Sequence, residues 1–75
     1  MTLPNERTVA IHNTREFLRS LLDPKKTPRI PREIRRKAYW CLKHFPADYY
    51  IFESAKKSPD IWDTTAARKL MDEND

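Results

Sequence analysis

Not one glycine occurs in these 75 residues, yet there are six prolines, and that pairing limits what the chain can fold into more than any other feature. Glycine is the usual residue for turns with positive φ, so hairpin-rich β folds lose their normal connection. Prolines set between apolar-and-charged stretches instead read as punctuation between helices. The expectation is an all-α fold, a compact orthogonal arrangement of three to four short helices. A chain of this length buries only about 60% of its unfolded surface, enough for one core. Residues 1–75 therefore read as a single helical domain, with 71–75 (the M-D-E-N-D end) frayed.

The prolines also place the elements. A first helix opens at Leu3–Pro4 with Thr2 as its cap, and stops near Leu22, because Asp23 precedes Pro24. Its apolar stripe is Leu3, Ala10, Thr14, Phe17, Leu18, Leu21 and Leu22. Residues 23–31 (D-P-K-K-T-P-R-I-P) hold three prolines and read as an extended, polyproline-type connector. A second helix starts at Pro31, ends before Pro46, and turns Ile34, Ala38, Cys41, Leu42 and Phe45 inward. Asp48 caps a third over 49–57, with Phe52 and Ala55 inward. Ser58-Pro59-Asp60 opens a last helix to about Lys69, with Ile61, Trp62, Ala66 and Leu70 apolar. The core is then Phe17, Leu21, Ile34, Ala38, Leu42, Phe45 and Phe52.

The run T-L-P-N-E-R-T, the stretch F-L-R-S-L-L-D-P-K-K-T-P-R-I-P-R-E-I-R and the L-K-H-F-P element with its following acidic-aromatic run resemble a family of short uncharacterised bacterial proteins. The resemblance spans about residues 2–62. It implies a bacterial, cytoplasmic, single-domain protein and brings no activity, cofactor or site residue with it.

Few chemistries fit the residues. His12, Cys41 and His44 are the candidate metal ligands, but a structural zinc site wants four at recognisable spacing. A Cys41–His44 dyad needs an exposed thiolate and an orienting third group, and an inward Cys41 denies the first. Without glycine there is no phosphate-cradling loop. The acidic residues Asp60, Asp63, Asp72 and Glu73 are scattered rather than paired. No enzyme, cofactor, metal or small-molecule substrate is expected. A lone cysteine and the lack of a signal peptide suggest the cytoplasm, and no apolar run reaches the roughly 20 residues that span a bilayer.

What stands out is charge layout. Residues 24–44 carry eight Lys/Arg against Glu33 alone, while residues 45–75 carry four against seven acidic side chains. On the second helix Arg32, Arg36, Tyr39, Trp40 and Lys43 lie opposite the expected core stripe, and Lys25, Lys26 and Arg29 extend the patch along the connector. Such a cationic-aromatic surface suits a protein partner or self-association, since Trp, Tyr and Arg anchor interfaces. It also suits nucleic acid, with cations on phosphates and rings on bases. A helix-turn-helix reading fails, because the third helix turns out the nearly neutral set Tyr50, Glu53, Lys56 and Lys57. The P-R-I-P element matches a polyproline ligand only loosely.

Overall fold

The computed structural model describes residues 2–73. The architecture is all-α: four helices, with no strand among the described residues. They are α1 (Pro4–Leu22), α2 (Arg32–Lys43), α3 (Asp48–Lys57) and α4 (Thr64–Glu73). The chain divides into two compact units, one of Met1–His12 with Pro46–Asp75, the other of Asn13–Phe45, so α1 runs through the boundary.

In the first unit, polar side chains decide which way α1 faces. Leu3 N–H donates to Glu6 Oε1 at 2.8 Å, the return bond of a capping box. Thr2, expected as the cap, instead accepts Arg7 Nη1 on its hydroxyl and its carbonyl. Thr8 is 1% exposed. Its hydroxyl donates to Pro4 O (2.8 Å) and accepts from Asp63 N–H (3.0 Å), so burying it strands no polar group. The inward line is Pro4, Thr8 and Ile11 at helical spacing, flanked by His12. Of the expected stripe, Leu3, Ala10, Thr14, Phe17 and Leu22 are exposed, while Leu18 and Leu21 are half-buried.

The same polar groups displace the last helix. Instead of opening at Ser58-Pro59-Asp60, the chain makes a turn in which Ile61 and Trp62 N–H both donate to Ser58 O (3.0 and 3.1 Å). Arg7 holds the turn from α1, donating Nε to Ile61 O (2.9 Å) and Nη2 to Asp60 O (3.3 Å). α4 then starts at Thr64 with Asp63 as cap, its Oδ1 accepting Ala66 N–H at 3.0 Å. Ile61 is left exposed outside the helix. Met71–Glu73, expected to fray, are helical; the expectation for 74–75 lies outside the described residues. Asp48 is not the cap of α3 but its first residue, with Ala47 before it. The buried residues of α3 and α4 are Asp48, Ala55 and Ala67, and the two alanines suit close approach of these two packed helices.

In the second unit, the connector is turned rather than extended. Lys26 and Thr27 N–H both donate to Asp23 O (3.1 and 3.0 Å), and Lys25 N–H donates to Asp23 Oδ1 (2.9 Å) in an Asx turn. Thr27 Oγ1 donates to Ser20 O at 2.7 Å. Arg29 takes φ 65°, the left-handed turn normally given to glycine. No polyproline ligand survives in this geometry. Arg35 then sets the rotation of α2: Nη1 donates to Leu21 O and Nη2 to Thr27 O, both at 2.6 Å. The first of these satisfies one of the last carbonyls of α1.

That anchor overturns part of the expected core. The inward face of α2 passes through Ala38, Leu42 and Arg35, about one residue's rotation from Ile34. Ile34 is 41% exposed and Cys41 is exposed, so the thiol, expected inward, faces solvent. Phe17, the other expected core residue that fails, is 61% exposed. It lies across α1 from Arg15 and Leu22, which line a recess with α2. Leu21, Leu42, Phe45 and Phe52 are half-buried. Among the described residues the largest fully buried side chain is Thr8.

Candidate interaction surface

Every residue of the cationic-aromatic patch is exposed: Arg32, Arg36, Tyr39, Trp40 and Lys43 on α2, and Lys25, Lys26 and Arg29 in the connector. Tyr39 and Trp40 are 55% and 59% exposed. Because Arg35 turns Ala38 and Leu42 inward, Arg32, Arg36 and Lys43 fall on one outer strip with Tyr39 at its edge and Trp40 beyond it. The two rings meet edge to face, centroids 6.0 Å apart at 70°, and Lys43 Nζ lies 4.9 Å from the Trp40 centroid. This cation–π contact holds the ammonium beside the ring while leaving both in water.

The charge of this surface is largely uncompensated. Glu33 pairs with Lys37 at 3.6 Å, an exposed i,i+4 pair worth a fraction of a kcal/mol, about 0.3–0.5. Among the described residues Arg32, Arg36 and Lys43 form no ion pair within 4.0 Å. The unit as a whole, residues 13–45, holds ten Lys/Arg against three Asp/Glu, a formal +7, and the other unit carries the balance of −3.

Beside the strip, α1 and α2 leave a recess of about 320 Å³. Leu22, Tyr39, Leu42 and Phe45 form its apolar lining, and Arg15, Arg19 and Lys43 its cationic one. Glu16 Oε1 lies 3.8 Å from Arg15 Nη1 and 3.3 Å from Arg19 Nη1. Sequence reasoning had not brought α1 into the surface; Arg15 and Arg19 at i,i+4 were the available signal, hidden because they alternate with Glu16.

The candidate metal and thiol residues divide between the two units, His12 in the first and Cys41 and His44 in the second. His12 Nδ1 lies 3.1 Å from both oxygens of Asp48, the side chains 15% and 11% exposed, which ties α1 to the start of α3 inside the first unit. Cys41 is an exposed free thiol, with His44 exposed just past the end of α2. Among the described residues no three His, Cys, Asp or Glu side chains group so as to hold a metal ion, and no helix is long and apolar enough to cross a membrane. No family model, no curated protein and no solved structure matches this chain.

Proposed function

We propose that this chain is a non-enzymatic binding module of the cytoplasm that docks a protein partner through the outer face of α2. The observation that carries the reading is the exposure of Tyr39 and Trp40 among Arg32, Arg36 and Lys43. Large apolar rings beside arginines are the side chains that anchor interfaces, because they bury much area for few frozen torsions. Leaving them in water costs the fold hydrophobic stabilisation that a partner can restore.

Nucleic acid is the second reading, favoured by the +7 charge of residues 13–45. Two features support the protein reading over it. The Trp40 ring is already flanked by Tyr39 and Lys43, which leaves less open face for a stacked base. The neighbouring recess has an aliphatic and aromatic lining that accepts a side chain rather than a phosphate.

Two measurements separate the readings. Quantitative capture from a bacterial extract should retain a protein on the wild type that a folded Tyr39→Ser/Trp40→Ser variant releases; equal capture by both would contradict a docking role for the rings. A labelled-oligonucleotide titration across a salt series should give no binding. Sub-micromolar affinity that falls steeply with salt would transfer the surface to nucleic acid.

A further inference from the structure

The recess between α1 and α2 does not end where α1 ends. A second one of about 430 Å³, lined by Glu16, Asp23, Pro24 and Lys26, shares Arg19 and Leu22 with the first. The first recess is a furrow with an apolar floor, a row of cations and no acidic side chain among its described lining residues, in the most basic part of the chain. The second, which carries two carboxylates, adjoins it at Arg19 and Leu22. We propose that this furrow seats an acidic amphipathic segment of the partner, with a leucine- or aromatic-type anchor on Leu22, Tyr39, Leu42 and Phe45 and carboxylates on Arg15, Arg19 and Lys43. The inference rests on the protein-binding reading above and names the chemistry of the partner.

Charge complementarity selects this occupant. An anionic segment meets a unit of formal +7, which speeds encounter and discriminates against neutral or basic chains. The rim already shows the required chemistry, since the Glu16 carboxylate lies between the Arg15 and Arg19 guanidiniums. A partner carboxylate can make the bidentate contact that the Glu16 geometry does not. Amphipathic helices bind apolar grooves through anchors at i, i+3 and i+4, and a recess of this size holds one or two such side chains.

The competing occupants fit less well. Glu16 and Asp23 beside the furrow disfavour a long polyanion that runs on past Arg19 and Leu22, such as a phosphate backbone, whereas a short segment can place its carboxylates on Arg15, Arg19 and Lys43 alone. A second copy of the chain offers exposed Tyr49 and Tyr50, but the acidic groups on the same helix are already engaged. Asp48 is held by His12 and Glu53 by Lys56 at 2.9 Å.

The test is selection of a random 12-residue display library against the whole folded chain, followed by anisotropy titration of the enriched synthetic peptide. Enriched peptides should be acidic, with apolar residues at helical spacing. Affinity should drop by about tenfold in Arg19→Glu and in Leu22→Ser, and by less than about twofold in Trp40→Ser, which lies outside both recesses. Circular dichroism checks that each variant is folded. Enrichment of peptides without acidic residues, or no enrichment, overturns the furrow assignment. Binding lost in Trp40→Ser but kept in Arg19→Glu also overturns it, while leaving the outer face of α2 as a protein site. Concentration-dependent self-association abolished by Arg19→Glu would give the furrow to a second copy. Salt-steep oligonucleotide binding without peptide enrichment would end both readings.

Discussion

Arg35 and Arg29 look alike in the sequence and do opposite work. Arg35 is half-buried and donates to Leu21 O and Thr27 O, so its charge is used inside the unit. Arg29 is exposed and sits at φ 65°, where a β-carbon costs about 1 kcal/mol. Hydrogen bonds from a charged donor contribute about 1.5–3 kcal/mol each. Two such bonds sum to about 3–6 kcal/mol, and solvent screening of the half-buried guanidinium reduces this. Arg35→Ala should therefore lower unfolding stability by about 2–4 kcal/mol in urea denaturation, and Arg35→Lys, which lacks the fork, by roughly half. A loss under about 0.5 kcal/mol would mean these bonds do not set the rotation of α2. Arg29→Gly should do the reverse and raise stability by up to about 1 kcal/mol, with Arg29→Val lowering it. Equal midpoints for all three residues at position 29 would contradict the backbone assignment.

Between helices, the fully buried apolar residues are small, and two of them, Ala38 and Ala55, are the ones helical spacing turns inward. Ala38, Ala55 and Ala67 are the buried apolar residues among those described, and α3 meets α4 closely. Thr64 Oγ1 donates to Ala55 O at 3.1 Å, joining the end of one helix to the start of the next. Ala67→Leu should overpack this contact and cost about 1–3 kcal/mol, read as a lower thermal midpoint; an unchanged or raised midpoint would show a cavity there instead. The sequence was informative about these helices where proline speaks: the start of α1 at Pro4, its end at Leu22 and the span of α2. It misled where polar groups decide. Thr8, Arg7 and His12 look like surface residues, yet they bind the 59–63 turn and Asp48, so α4 begins later and α1 faces another way. Helical spacing of apolar residues puts Phe17 and Ile34 in the core, but the rotation of α1 and α2 is set by hydrogen bonds of Thr8, Arg7 and Arg35 that spacing does not encode.

Across the whole molecule, charge is partitioned with the fold: +7 in residues 13–45 and −3 in the rest. This asymmetry was readable as a basic middle and an acidic tail, as was the α2 patch of Arg32, Arg36, Tyr39, Trp40 and Lys43. The participation of α1 through Arg15, Arg19 and Leu22 was not, because it depends on how two helices pack. The account rests on Trp40 standing in water within a cationic field. Collisional quenching of Trp40 fluorescence in a Trp62→Phe variant measures both properties at once. Strong quenching by iodide and weak quenching by caesium, with emission at the wavelength of free indole, is the predicted result. A blue-shifted emission shielded from both ions, or equal quenching by the two, would contradict it.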